Sequence, residues 1–255
     1  MEPLVLPPEL CRRLRDAERM VAFTGAGVSQ ESGLATFRGR DDALWQRFRP
    51  EELATPEAFE RHPRRVWQWY ASRFGTASAA EPNPAHHALV RFAALFPSFL
   101  LVTQNVDGLH QRAGSRGVVE LHGTLRHARC HACDRRMEMR DAVERSPEEP
   151  PACACGGLFR PAVVWFGEPL PLAALERATT AAAGADLLLA VGTSATVFPA
   201  AGLIELAHRG GAAVIEVNPQ PTAFSGLADL RVTAPAGVGL PALEAEVRRC
   251  RRAPS

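Results

Sequence analysis

The stretch VAFTGAGVSQESG, from Val21 to Gly33, decides how the chain is read. Met20–Thr24 is a short apolar run of strand length, and the residues after it read as the start of a helix. Between them, Gly25 and Gly27 let the backbone turn tightly and approach a ligand closely. Amide groups at the start of a helix suit a diphosphate. Read alone, the stretch is either a nucleotide-binding turn or an ordinary strand–turn–helix junction. It departs from the common dehydrogenase fingerprint, which wants G-x-G-x-x-G and an acidic residue about twenty positions later. Gln30 stands where the third glycine would be. The best ribose-binding candidate is Glu216 in IEVN, far along the chain.

Working outward, further strand candidates are Ser98–Thr103, Val118–Leu121, Asp186–Val191 and Ala213–Val217. Helical patterns lie between them, among them Leu172–Ala183 and a closing helix over Leu240–Arg249. Another helix opens at Asn83, an N-cap followed by proline at the first helical position. Strands alternating with helices predict a Rossmann-like α/β fold, a parallel sheet covered by helices on both faces. Two stretches interrupt the plan. Residues 34–82 read as a loop and helical insertion at the ligand side. Residues 124–160 carry the cysteines and an acidic, proline-rich run, and read as a small metal-binding module. The sheet domain is then expected over 1–33, 83–123 and 161–255.

The 255 residues carry 29 basic and 28 acidic side chains, a net charge of +1. Broad attraction to nucleic acid or to a membrane surface is not expected. All the basic side chains are arginine, and there is no lysine. The apolar runs are of strand length and the first residues lack a signal peptide's apolar core, so the cytoplasm is the expected compartment.

Four cysteines cluster. Cys130-x2-Cys133, then nineteen residues, then Cys153-x-Cys155 is a zinc-ribbon spacing. Four thiolates close a tetrahedral site and leave no open position, so the expected zinc is structural. His127 and His131 are expected at the surface, and Cys11 and Cys250 have no assigned role. Two further stretches concentrate chemistry. TQNVDGLHQRAG, Thr103–Gly114, begins at the carboxyl end of a strand, where open α/β sheets place ligands. It holds Gln104, Asn105, Asp107 and His110. VVELHG ends a second strand with His122, a plausible general base because imidazole titrates near neutrality. Either histidine could instead be structural.

QWYASRF, Gln68–Phe74, contains the only tyrosine. Stepping by roughly 100° per residue from Val66 puts Tyr70 near ~40° and Arg73 near ~340°. Arg73 therefore falls inside the apolar arc. Either its head snorkels to water, or Tyr70 and Arg73 together receive an anionic ligand.

GAGVSQESG, TFR, TQNVDGLH, LHG, the four cysteines, VVWFGE, GTSATVFPAA and EVN occur in the order found in sirtuins, the NAD-dependent protein lysine deacylases. The resemblance covers roughly residues 15–245. It implies that Gly25, Ala26, Gly27, Phe37 and Arg38 hold NAD and shield its nicotinamide ribose. It implies that Gln104, Asn105 and Asp107 surround the ribose and nicotinamide, with Asn105 also counted as catalytic. Gly192, Thr193 and Ser194 match a phosphate- and ribose-contacting turn, and Asn218 matches an adenosine-ribose contact. Val163, Val164, Trp165, Phe166 and Gly167 match the segment that pairs with a substrate peptide as an added strand. His122 matches the base that accepts a proton from the activated ribose hydroxyl. The products implied are nicotinamide, free lysine and 2′-O-acyl-ADP-ribose.

Tyr70 and Arg73 match the Y-x-x-R motif of class III sirtuins, which remove acidic acyl groups. The expected substrates are succinyl- and malonyl-lysine proteins or peptides, with some acetyl-lysine turnover, and the expected state is a monomer. Ala35-Thr36 replaces the proline–aspartate pair of many sirtuins, and the segment after Thr233 resembles the usual adenine-side ending only loosely. An acetyl-preferring deacetylase, a protein ADP-ribosyltransferase and a non-enzymatic zinc-ribbon nucleotide binder are the alternatives. Labelled NAD separates transfer from deacylation.

Overall fold

Strand β1, Arg19–Thr24, carries the register from which the rest of the molecule follows. A computed structural model of the chain describes residues 4–36 and 49–252. Helix α1 (Pro8–Asp16) precedes β1, and two short 3₁₀ turns (Ala26–Val28 and Gln30–Ser32) follow it. Then come helices α2 (Pro50–Leu53), α3 (Pro56–Arg61), α4 (Pro63–Ala79) and α5 (Pro84–Ala93). Strand β2 (Ser98–Thr103), helix α6 (Leu109–Arg112) and strands β3 (Val119–Glu120), β4 (Gly123–Cys130) and β5 (Arg136–Glu138) come next. Helix α7 (Met139–Arg145), strand β6 (Phe159–Val163), helix α8 (Leu172–Ala183) and strand β7 (Leu187–Val191) lead into helix α9 (Gly202–Arg209). Strands β8 (Ala213–Val217) and β9 (Leu230–Val232) and helix α10 (Ala236–Arg252) complete the chain.

Six strands form one sheet in the order β3-β2-β1-β7-β8-β9, with every pairing parallel. Strands β1, β7 and β8 are buried almost throughout, as a sheet covered on both faces requires. Alternation sorts their side chains. Met20 and Ala22 point into a core with Leu14, Leu89, Phe92, Leu243 and Val247, from α1, α5 and α10. Val21 and Phe23 point into a second core with Ala178, Ala182, Leu203 and Ile204, from α8 and α9. The expected doubly covered parallel sheet is therefore the observed one.

Strand β4 pairs antiparallel with β5 and with β6, giving a separate three-stranded sheet that carries the cysteine module. Helix α4 braces it: Trp67 is buried against Ala128, Met139 and Phe159, and its indole Nε1 donates to the Ser146 carbonyl at 2.9 Å. Local chemistry sets several helix starts. Thr55 caps α3 by accepting from the Ala58 amide. Asn83 caps α5 by accepting from the Ala85 amide, while His86 Nδ1 accepts in return from the Asn83 amide. A proline follows each cap at the first helical position.

Two expectations need correction, and one open point is settled. The residues after Gly25 form 3₁₀ turns rather than an α-helix, because their amides close on residues three back, such as Val28 N–H on the Gly25 carbonyl. The closing helix is longer than expected, Ala236–Arg252, with Pro241 inside its first turns. Cys11 and Cys250 do have a role: they form a disulfide joining α1 to α10 across 239 residues of sequence.

Candidate active site

Strands β1, β2 and β3 spread to one side of the sheet, and β7, β8 and β9 to the other. The order reverses between β1 and β7, and open α/β sheets bind ligands at the carboxyl ends of strands at such a point. There the two strand ends touch. The Gly25 amide donates to the Val191 carbonyl at 3.0 Å, and the Gly27 amide to the Gly192 carbonyl at 2.8 Å. A Cβ on Gly25 would lie 2.8 Å from the Gly192 oxygen, and one on Gly27 2.8 Å from the Gly192 Cα. Gly192 itself has φ +57, and a Cβ there would lie 2.5 Å from the Val28 amide nitrogen. Only glycine lets the two turns close into this cradle.

The cradle forms part of the wall of a cavity of about 1060 Å³, at the upper end of the ~300–1,000 Å³ usual for small-molecule sites. Gly25, Ala26, Gly27, Gln104, Asn105, His122, Gly192, Thr193, Ser194 and Asn218 all line it. So do Tyr70, Arg73 and the run Val163–Gly167. Phe37 and Arg38 lie outside the described residues. Asp107 is not among the lining residues but stands behind them. The Ser29 hydroxyl donates to its carboxylate at 2.8 Å while accepting from the Asn105 amide group at 3.2 Å.

Gln104 organises the cavity's centre. Its side-chain amide donates to Thr193 Oγ1 at 2.8 Å, clamping β2 to the β7 turn. Asn218 donates to the Thr193 carbonyl at 2.9 Å from the other side. The Gln104 carbonyl lies 3.1 Å from His122 Nδ1. A carbonyl can only accept, so Nδ1 carries the proton and Nε2 keeps its lone pair. Burial lowers the His122 pKa below 6.5, against the opposing pull of the Gln104 carbonyl. The imidazole is thus neutral at pH 7 and basic at Nε2, the state a general base needs. Gly123 makes the position possible: at φ +73, a Cβ would lie 2.2 Å from the Ala162 carbonyl oxygen.

His110, the other histidine candidate, is fully buried away from the cavity, with Nε2 3.0 Å from Thr24 Oγ1. Its ring packs 4.9 Å from that of His86. Burial, then the His86 neighbour, pushes its pKa down to about 3. His110 is therefore a structural residue of the interior behind the strand ends.

The far wall is different in kind. Tyr70 is buried among Val66, Val106, Val163 and Trp165, and its hydroxyl accepts from the Trp165 indole at 2.9 Å. Arg73 lies one helical turn on, half-buried, its guanidinium 4.9 Å over the Trp69 ring. Burial pushes the tyrosine up to about 12, partly offset by Arg73. The phenol keeps its proton across the physiological range.

The profile of the Sir2 family matches residues 25–199, from the glycine cradle to Pro199. The chain is a member of the Sir2 family. A protein of Aquifex aeolicus named NAD-dependent protein deacylase is 50% identical over 222 residues, 87% of this chain and 92% of its own length. One from Thermus thermophilus with the same name is 51% identical over 237 residues, 91% of each chain. A Sir2 homologue solved with ADP-ribose superposes with a TM-score of 0.90 at 45% identity, covering 96% of this chain and 97% of that one. A Sir2 homologue–NAD complex gives 0.88 at 44%, covering 98% and 97%.

In this sirtuin the four clustered cysteines converge as their spacing predicts. Their sulfurs all lie within 4.8 Å of one another. Cys130 Sγ is 3.5 Å from Cys155 Sγ, and Cys133 Sγ is 3.7 Å from Cys153 Sγ. Sulfurs bound tetrahedrally at about 2.3 Å sit about 3.8 Å apart, so the set fits zinc. His127 and His131 lie outside the set. The first pairs with Glu138, and the exposed second bonds to Leu158.

One expectation about the site fails. Glu216 is not a ribose ligand: its carboxylate accepts from Thr222 and Ser225 at 2.6 Å each and from Arg231 at 3.0 Å. It faces away from the cavity, which its neighbours Val217 and Asn218 line. Ser29, the hub between Asn105 and Asp107, was missed, although it lies inside the opening stretch. Arg160, and the part Glu168 at the end of VVWFGE plays in supporting Trp165, were missed, because no local pattern shows that the two side chains meet.

Proposed function

We propose that this sirtuin is an NAD-dependent protein lysine deacylase whose acyl pocket favours succinyl and malonyl groups over acetyl. One observation carries the reading: Tyr70 and Arg73 line the same cavity as His122 and the glycine cradle. The cradle fits a dinucleotide: glycines at 25, 27 and 192 let the two turns pack backbone to backbone at the cavity wall, where a side chain would force them apart. Gly25, Ala26, Gly27, Gly192, Thr193 and Ser194 would hold the diphosphate, Asn218 the adenosine ribose, and Gln104 and Asn105 the nicotinamide end. When bound, NAD supplies a ribose carbon made electrophilic by departure of nicotinamide. His122 Nε2 accepts the proton of a ribose hydroxyl, with Nδ1 anchored on Gln104. Val163–Gly167 would pair with the substrate backbone and direct the acyl-lysine between the two walls. Cys130, Cys133, Cys153 and Cys155 would hold a structural zinc, with no coordination position left for substrate.

Arg73 and Tyr70 supply the acyl preference. Arginine presents a planar, permanently charged fork that matches a carboxylate, and the phenol adds a donor to one oxygen. The surrounding side chains strengthen both by excluding water. Arg73→Met tests the reading on succinyl, malonyl and acetyl peptides of one sequence. Loss of a charge-assisted contact in the pocket, on the order of 2–5 kcal/mol, should cut succinyl and malonyl kcat/KM about 30-fold or far more. The acidic-to-acetyl ratio should fall with it. Equal loss on all three peptides would remove the carboxylate-receptor role.

A further inference from the structure

The acyl wall contains a chain of contacts that ends on the Tyr70 hydroxyl. Trp165 is 3% exposed, and its Nε1–H donates to that hydroxyl at 2.9 Å. An indole N–H can only donate, whereas a phenol has one proton and two lone pairs. The Trp165 bond therefore occupies a lone pair and leaves the phenol proton to be donated elsewhere. Tyr70 lines the cavity, so an acceptor bound there can receive it.

Trp165 is itself held on two sides. Its backbone amide donates to Glu168 Oε2 at 2.8 Å. The Arg160 guanidinium lies over its ring, 3.2 Å from the centroid. Arg160 is fixed in turn by two bonds to the Glu168 carboxylate, at 2.5 and 2.9 Å, and one to the Val163 carbonyl at 2.8 Å. A cation over an indole face draws on the ring's electrons, and linked polar groups in a dry environment strengthen one another. Both effects favour Trp165 as a hydrogen-bond donor.

We propose that Trp165 is a specificity-determining positioning residue: by donating to the Tyr70 hydroxyl it fixes that hydroxyl as a donor toward the acyl terminus, so the pocket selects an acceptor-rich, anionic end. Arg73 supplies the charge, and the Trp165–Tyr70 pair supplies the direction. The inference rests on the acidic-acyl reading and adds to it a residue that acts on the acyl terminus through Tyr70.

The test is a double-mutant cycle read as the succinyl-to-acetyl ratio of kcat/KM on one peptide sequence, for wild type, Tyr70→Phe, Trp165→Phe and the double variant. Trp165→Phe keeps an aromatic ring and removes the N–H. The ratio should fall about 3- to 15-fold, the loss expected of one hydrogen bond. In the Tyr70→Phe background the same change should have little further effect, because there is no hydroxyl left to orient. A packing role would instead lower the ratio equally in both backgrounds or not at all, and either result overturns the inference. If Trp165→Phe does not fold, 3-benzothienylalanine at position 165 keeps the bicyclic shape without the N–H and carries the same expectation. Arg73→Met separates the two ideas. A collapsed ratio in Arg73→Met with an inert Trp165→Phe sinks the inference alone. An unmoved ratio in Arg73→Met sinks the acidic-acyl reading and the inference with it.

Discussion

The two walls of the cavity solve opposite problems. The cofactor wall grows from strand ends of the parallel sheet, and several of its polar groups bond one another. Gln104 and Asn218 both bond Thr193, and Ser29 joins Asn105 to Asp107. Its buried histidines are neutral, with His86 pushed down to about 4 and His110 to about 3, each chiefly by burial. The acyl wall comes from the inserted helix α4 and the strand end of the small sheet. It carries the Arg73 guanidinium at the cavity surface, over the Trp69 ring, and behind it the Arg160 guanidinium, held by Glu168. On the proposed reading, an internally bonded wall holds a ligand that every turnover uses. A charged wall on an insertion can be changed without disturbing it. On that reading, the chemistry and the acyl choice are therefore carried by different parts of the fold.

Metal removal is the strongest way to break that division. Structural zinc in small thiolate sites is worth about 10–16 kcal/mol in isolated fingers, far more than a single side-chain contact. Chelation should loosen strands β4 to β6, and with them Trp165 and Arg160, while the parallel sheet persists. Calorimetric titration should then show NAD still binding and acyl peptide no longer binding. Loss of both together would mean that the walls are not separable.

His122 lies at the seam, so its removal should sharpen the contrast with Arg73. His122→Ala should lower turnover of succinyl and acetyl peptides alike, by roughly 10²- to 10⁴-fold, the usual contribution of a general base. The fold and the metal content should be unchanged. The acyl ratio, which Arg73→Met moves, should stay fixed. The pH profile carries a sign as well. Burial lowers the His122 pKa, and the base works only when neutral. The acid limb of kcat/KM in the wild type should therefore fall below pH 6.5, not above it. Near-wild-type activity in His122→Ala would remove the base assignment.

Much of this arrangement was legible in the sequence, and the gaps have physical causes. Ser98–Thr103, Ala213–Val217 and Leu172–Ala183 were expected at the residues where they occur, because long apolar runs and periodic helices speak for themselves. The four-cysteine site was legible because metal-ligand spacing is short-range. Strands β4 to β6 and β9 were not. Three-residue strands such as Leu230–Val232 show no period, and the small sheet is organised by its cysteines and by Trp67 from α4. Arg73 showed its place on the apolar arc, yet a wheel cannot say whether that arc faces a core or a cavity. Glu216 was misjudged because strand position does not reveal which neighbours consume a carboxylate. Trp165 was read through its backbone, while its side chain matters through Tyr70, 95 positions away.

The smallest expected effect concerns a brace on the cofactor side alone. The Cys11–Cys250 disulfide ties α1 to the end of α10, and the start of α10 reaches the cavity at Ala236. Glu31, from the turn after the cradle, accepts from the Gly237 amide at that same helix start. The helix is thus held at both ends on one side of the molecule. Removing the bond should cost about 2–4 kcal/mol, chiefly by freeing the unfolded chain. For a domain of this size that lowers Tm by roughly 5–15 °C. A phosphine reductant suits the measurement, since it leaves a thiolate-bound metal in place, and Cys250→Ala should match it. Because the brace lies on the cofactor side, neither treatment should move the succinyl-to-acetyl ratio. A shift in that ratio as large as the one produced by Arg73→Met would show that α10 and the acyl wall move together, and the two sides of the cavity would then have to be treated as one unit.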